Sequence, residues 1–439
     1  MKKFGIQLGA LLFASILWTG CNTVKTPLDD NGNEPENGEE EFITQGPIEV
    51  LFPIPETEIK GISLTDDQKS YQQAAGQFAL RTMARLYEGK SYVVSPLSLQ
   101  MALSMAASGA SGETEKEVLS ALGFDGVGSD ALNAYSKSLL EQLPAVDLGV
   151  FLSLANALVL NKQYSLVDAY KEQMSSSYFA PIVNADFSDE AGTLSLINDW
   201  SRRNTNGLIP VILENINPSG IAYLLNSLYF KAKWFEPFNE YQIAKGENFK
   251  AGGTTPIKVD YLFSEDDIAY ADMGDYRVIR LLLGEKMRFV YTVFLPKEDD
   301  GLAGMLKELE PMDWSAFVSR LAATRVQYRL PKFKTESSFE LKGTLQALGV
   351  KRAFTVSAEF DRMVSGRNVM ISEVVQKSTL TLDENGVEGA ATTVIGIKAT
   401  SNGAEPPKPV IFHADHPFAY VISEVSSGAI LFTGVFDGK

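Results

Sequence analysis

Cysteine occurs once in these 439 residues, at Cys21, and histidine twice, at His413 and His416. A single cysteine forms no disulfide within the chain, so core packing must supply the stability of any folded domain. Histidines three apart in an extended segment project from opposite faces, so packed structural roles are expected rather than a catalytic or metal site. No Gly-x-Ser-x-Gly elbow, His-Glu-x-x-His helix or Gly-x-x-x-x-Gly-Lys loop occurs, which removes the common hydrolase, metalloprotease and phosphate-loop readings. Positive charge is also short. There are 39 Lys and Arg against 55 Asp and Glu, a formal charge of −16, which argues against nucleic acid or an anionic lipid surface as partner. Asp260, Asp266, Asp267, Asp272 and Asp275 cluster loosely but lack the alternating ligand spacing of a calcium loop, so a solvated loop is expected and no metal or cofactor.

The apolar runs are short as well. Met1-Lys2-Lys3, a mostly apolar stretch from Phe4 to Trp18 and the small-residue end Thr19-Gly20-Cys21 have the three regions of an export signal. The apolar part is shorter than a membrane span requires. With cysteine directly after the small-residue site, the segment resembles a bacterial lipoprotein signal, although Trp18 stands where that pattern has an aliphatic residue. The resemblance implies removal of residues 1–20, lipidation of Cys21 and an exported protein at the outer membrane or cell surface, held to the membrane by lipid alone. An ordinary signal would leave it secreted or periplasmic. A lipidated Cys21 leaves no cysteine nucleophile. Residues 22–41 carry Pro27, Pro35 and the acidic run Asp29, Asp30, Glu34, Glu36, Glu39, Glu40, Glu41, a composition that buries no core. Residues 21–62 are therefore assigned to a lipidated cysteine and acidic flexible tether. Within it 47–62, with Pro47, Pro53 and Pro55 among aliphatics, is either extended and docked or plain linker.

From Ser63 to Lys439 no linker or charge block divides the chain, and one α+β domain is expected. Residues 65–88 read as an amphipathic helix with Phe78, Met83 and Leu86 on its apolar face, and Ser95-Pro96 starts a second. The runs Leu224-Phe230, Val278-Leu283, Phe289-Leu295 and Val326-Leu330 read as strands. Phe418-Ile422 and Ile430-Val435 read as a strand pair across a Ser426-Ser427-Gly428 turn.

Residues 383–393, Asp383-Glu384-Asn385-Gly386-Val387-Glu388-Gly389-Ala390-Ala391-Thr392-Thr393, place a turn glycine before small and β-compatible residues. Every second residue from Val387, namely Gly389, Ala391, Thr393, Ile395 and Ile397, is small or apolar. As a strand this segment would bury one face without forcing a charge inward. It resembles the hinge of the serpin family of protease inhibitors, whose loop adds to a sheet as a new strand.

Five further segments carry that resemblance in order. They are Val93-Val94-Ser95-Pro96-Leu97-Ser98 with Gly109-Ala110; Ile197-Asn198-Asp199-Trp200 with Thr205-Asn206-Gly207-Leu208-Ile209; Leu225 to Trp234; Leu330-Pro331-Lys332-Phe333 with 345–349; and Ala414-Asp415-His416-Pro417-Phe418 with Leu431-Phe432-Thr433-Gly434. The resemblance implies three β-sheets with eight or nine helices and an exposed reactive-centre loop at about 384–409. It also implies a monomeric inhibitor that serine proteases, and by the same route cysteine proteases, attack as a suicide substrate. Glu384, Gly386, Val387 and Glu388 to Thr393 correspond to the hinge. Ser95, Ser98 and Asn226, with Gln376 in place of the usual histidine, correspond to the polar cluster that controls sheet opening, and Trp234 to the sheet top. Val387 and Gly389 depart from the usual Thr or Ser and Ala, but neither is proline or charged. The family distance from Glu384 puts the scissile bond at Thr400-Ser401, with Lys398 and Ala399 as alternatives, so a trypsin-like or elastase-like protease is the expected partner. A surface binding protein on the same fold that inhibits nothing is the other reading.

Overall fold

The computed structural model describes residues 57–252, 255–366, 369–387 and 408–439, all within one unit that spans 43–439. Among these residues nine α-helices are present: α1 (Asp66–Leu86), α2 (Pro96–Gly109), α3 (Gly112–Leu122), α4 (Ser129–Gln142), α5 (Asp168–Tyr178), α6 (Glu190–Asn204), α7 (Leu302–Leu309), α8 (Trp314–Val318) and α9 (Lys342–Ala347). The first eight strands are β1 (Tyr92–Val94), β2 (Phe151–Asn161), β3 (Ile182–Ala185), β4 (Ala222–Lys233), β5 (Ile243–Phe249), β6 (Ile257–Asp272), β7 (Tyr276–Leu283) and β8 (Phe289–Pro296). Then follow β9 (Ala322–Pro331), β10 (Phe333–Glu340), β11 (Val375–Asp383), β12 (Gly386–Val387), β13 (Val410–His413), β14 (Phe418–Glu424) and β15 (Ile430–Phe436).

The helix at 65–88 is α1, and Thr65 caps it in a reciprocal capping box with Gln68. Ser95 caps α2 and Pro96 occupies its first turn, the position where a missing N–H costs nothing. Helix α2 is buried on nearly every side, from Leu97 through Ala107, as expected of a helix between two sheets. It packs on β4 of one sheet and β15 of the other.

The strands form two hydrogen-bonded networks. One has six strands in the order β10-β11-β12-β4-β2-β3, and the other runs β1-β15-β14-β8-β7-β6-β9-β13 with β5 on β6. Two of the three expected sheets are joined into the nine-stranded network because the sixteen-residue β6 pairs with β5, β9 and β7 along its length. This β6 also corrects the solvated-loop expectation. Asp260, Asp266, Asp267 and Asp272 lie within the strand, and among the described residues no His, Cys, Asp and Glu group could hold a metal ion. Asp267 and Asp272 are exposed while Tyr261 and Leu262 are buried, so the strand is held by its pairing with neighbours rather than by one apolar face, and Asp275 alone lies in the turn after it.

The fold begins before Ser63. Ile59 N–H donates to the Ala145 carbonyl at 2.9 Å and Ile62 N–H to Ser426 Oγ at 2.9 Å. Ile59 and Ile62 pack against the core, so the docked alternative holds for the last residues assigned to the tether.

Gly434 in β15 sits where a Cβ would meet the Tyr92 carbonyl oxygen at 2.5 Å and crowd the Tyr420 ring. Backbone cannot yield as a side chain can. Gly434→Ala should cost about 1–3 kcal/mol by overpacking, read as a lowered thermal midpoint; an unchanged midpoint would mean that β1 and β15 shift apart freely.

Candidate functional site

Strands β4 and β11 are neighbours in the six-stranded sheet, yet the only ladder between them among the described residues runs through β12. Leu382 pairs with Val387, and Val387 with Ala232. Beyond that two-residue strand lies a cleft of about 410 Å³. Ser98, Leu99 and Ala102 of α2 form its floor, Ile209 and Ile212 after α6 its roof, and residues of β4 and β11 its walls. A cleft bounded by two strand edges presents backbone N–H and C=O groups to whatever enters, a template for one more strand.

The mouth is a tight hairpin. Glu384 and Asn385 form the turn between β11 and β12, and Asp383 Oδ1 accepts from the Asn385 N–H at 2.8 Å and the Gly386 N–H at 3.2 Å. Gly386 has φ of +150°, and a Cβ there would strike the Ala232 carbonyl and approach Lys233 Cα at 2.7 Å. Only glycine lets the hairpin lie this close to β4. Trp234 clasps the turn from the other side: its Nε1–H donates to the Asp383 carbonyl at 2.8 Å and its backbone N–H to the Asn385 carbonyl at 3.1 Å. The indole is buried against Phe238 and Tyr291, both edge-on. Lys332, which follows β9, forms an ion pair with Glu384. Burial alone would push the Glu384 carboxyl up, but the Lys332 hydrogen bond and charge outweigh it and hold the group below its usual range.

Halfway along the cleft Gln376 bridges to the start of α2. Its Oε1 accepts from the Ser95 N–H at 3.1 Å, and its Nε2–H donates to the Ser95 carbonyl at 2.9 Å. Ser95 Oγ donates to the Leu431 carbonyl at 2.8 Å and accepts from the Ser98 N–H at 3.2 Å. Three of the four residues expected in the polar cluster thus meet. Asn226 stands on the opposite wall, where its Nδ2–H donates to Asn156 Oδ1 at 2.6 Å and Asn156 donates to the Tyr178 carbonyl at 2.9 Å. The buried Asn226 Oδ1 has no partner.

Asn156, Lys332 and the Leu431 carbonyl escaped the sequence reading. Lys332 and Glu384 are far apart in the chain, and Asn156 interrupts an otherwise apolar strand without a local motif; only the polar interruption was a usable signal. Of the hinge, Glu384, Gly386 and Val387 are described. Residues 388–393, the scissile candidates Lys398, Ala399, Thr400 and Ser401, and Cys21 lie outside the described residues. His416 is buried, with Nδ1 2.9 Å from Asp415 Oδ1 and Nε2 2.8 Å from the Pro296 carbonyl. His413 ends β13 half-buried, its pKa lowered by burial and by Arg329.

A family profile described as Serpin (serine protease inhibitor) matches residues 73–437. The chain is similar to Iripin-2 of Ixodes ricinus, 31% identical over 376 residues that cover 84% of this chain and 93% of that protein. It is similar also to antitrypsin of Bombyx mori, 29% identical, covering 79% of this chain and 88% of that one. Among solved structures it shares its fold with tengpin, a thermophilic serpin, in the native state: TM-score 0.77 at 24% identity, over 87% of this chain and 96% of that one.

Gln376→Leu should leave the Ser95 N–H and C=O unpaired beside the cleft and cost about 1–3 kcal/mol, measured as a drop in denaturation midpoint. Lys332→Met should cost no more than about 1 kcal/mol at neutral pH. The Glu384 pKa is depressed by folding, so the pair stabilises above the ordinary carboxylate pKa and is lost as pH falls through the depressed value. Wild type and Lys332→Met should therefore converge in thermal midpoint as pH drops below about 4; a gap that stays constant would show that the pair does not stabilise the hairpin.

Proposed function

The chain belongs to the serpin family, and from that premise we propose that it is an inhibitor consumed in its reaction with serine proteases. The observation that carries the proposal is β12: a strand already hydrogen-bonded between β11 and β4 at the mouth of a cleft, with Val387 buried and pointing to the core side. If the ladder continues in the same register, residue 389 comes opposite Phe230 and Leu380, residue 391 opposite Leu228 and Ser378, and residue 393 opposite Asn226 and Gln376. Phe230, Leu380, Leu228 and Ser378 are all buried. This is the face on which the sequence supplies Gly389, Ala391 and Thr393. The Thr393 hydroxyl would reach the unpartnered Asn226 Oδ1.

In the proposed reaction the protease serine adds to the carbonyl of Thr400. The bond to the Ser401 nitrogen breaks, that nitrogen takes up a proton, and an ester joins the inhibitor to the enzyme. Cleavage after Lys398 or Ala399 would follow the same course with a trypsin-like or elastase-like target. The freed segment then enters the cleft, and insertion must outrun hydrolysis of the ester. The driving force is strand addition: new ladders on both edges and apolar burial on the core side. Acylation of Cys21 would hold a monomer at the cell surface, where it would intercept host or competitor proteases.

Incubation with trypsin, elastase, cathepsin G and subtilisin should yield a denaturant-stable covalent complex with at least one of them. The N-terminus of the released C-terminal peptide identifies the scissile bond. Val387→Arg, which places a charge where the pocket is closed by Leu382 and Ala232, should abolish the complex while leaving cleavage intact. Clean cleavage of the wild type by all four without a complex would sink the inhibitor reading in favour of a surface binding protein.

A further inference from the structure

Strand β13 (Val410–His413) closes one end of the nine-stranded network, and among the described residues β9 is its only neighbour. Of its four residues only Phe412 is buried. An edge strand with a single ladder opens more readily than a central one. Two further contacts hold it: Arg277 Nη1 donates to the Ile411 carbonyl at 2.7 Å, and the Ala414 N–H donates to the Arg329 carbonyl at 2.9 Å. In chain order it is the first described strand after the scissile candidates Lys398 to Ser401.

Arg329 pairs across the sheet with Phe263 on one side and His413 on the other. Residues in register on neighbouring strands rise from the same face, about 4.8 Å apart, so His413 stands beside Arg329. Both line a polar cavity of about 390 Å³, together with Glu247, Lys258, Tyr261 and Asp415. The charges around His413 come from each strand that packs there. Arg329 of β9, Arg277 of β7 and Lys258 of β6 are cations, while Glu247 of β5 and Asp415, just after β13, are carboxylates. Both carboxylates are already engaged. Glu247 forms an ion pair with Arg329, whose guanidinium lies over the Tyr261 ring at 4.7 Å, and Asp415 Oδ1 is 2.9 Å from His416 Nδ1. A proton on His413 would add a fourth cation at a half-buried position where water screens it only in part.

We infer that β13 is an acid-sensitive anchor: neutral His413 lets it stay on β9, and protonation of His413 beside Arg329 loosens it. Burial first and then Arg329 lower the His413 pKa from its ordinary 6.5. The hold is therefore complete above that value and is lost as pH falls below it through the lowered one. This contact lies away from the cleft and titrates in the histidine range, not in the carboxylate range of Glu384. The inference is independent of whether the protein inhibits a protease.

Hydrogen–deuterium exchange on the full chain tests it at about pH 7.5 and about pH 5.5, which bracket the histidine range, once the intrinsic effect of pH on exchange is divided out. Protection of amides 410–414 should fall at least about threefold at the lower pH in the wild type. In His413→Gln, which cannot gain charge, that response should vanish. In His413→Arg, which is always charged, the segment should already be less protected than wild type at the higher pH. Amides of β8 unchanged in both variants are the control for folding. Equal protection of the wild type at the two pH values overturns the inference. An acid response that survives in His413→Gln overturns it too, and assigns the response to His416 or to a carboxylate.

Discussion

The parting of β4 from β11 is the constraint on which the rest of the molecule depends. Backbone N–H and C=O groups inside a protein must find partners, and two long strands that lie side by side without a mutual ladder leave a row of them along each edge. Among the described residues the six-stranded sheet meets this demand only at β12, two residues long. The surrounding structure keeps the edges apart and covered: α2 beneath, the segment after α6 above, and a hairpin at the mouth whose glycine permits no side chain.

Polar groups along the cleft divide into those already satisfied and those that are not, Asn226 Oδ1 and Thr379 Oγ1 among the latter. Gln376 ties β11 to the N-terminus of α2 through both Ser95 backbone groups, while Asn226 on the β4 wall binds Asn156 and keeps a buried carbonyl oxygen without a partner. The side-chain networks of Gln376 and Asn226 are therefore separate, and the two walls are joined at the mouth, through β12 and the Trp234 indole. Glutamine supplies a donor and an acceptor and does not titrate between neutral and acid pH, so the bridge to Ser95 holds regardless of pH. The acid-sensitive contact is at the mouth, where Glu384 depends on Lys332.

Support for the mouth comes from distant chain segments. Trp234 at the end of β4, Lys332 after β9 and the turn of the β11–β12 hairpin converge there, and the Trp234 indole rests on Tyr291 from the other sheet. Any movement of β12 is thus felt by both sheets. The N-terminal arm couples them a second time, through the Ala145 carbonyl before β2 and Ser426 in the β14–β15 turn.

Much of the fold was legible locally. Thr65 and Ser95 mark the starts of α1 and α2, because side-chain capping is a matter of three or four neighbouring residues. The period-two pattern from Val387 marks an inward face, and Val387 is inward. Strand β6 was not legible, since its exposed face carries the acidic residues of a loop and its partners are set by pairing across the chain. By itself the sequence determined where α1 and α2 begin, that Val387 can be buried, and that a single cysteine leaves no disulfide within the chain. The resemblance had already grouped Gln376 with Ser95, and only the tertiary structure decided that Asn226 faces Asn156 instead. It alone decided that Lys332 holds Glu384 and that Ile59 and Ile62 pack against the core. Propensity and capping act between residues a few positions apart, whereas hydrogen bonds and ion pairs between strands depend on register and approach, which exist only once the sheets have formed.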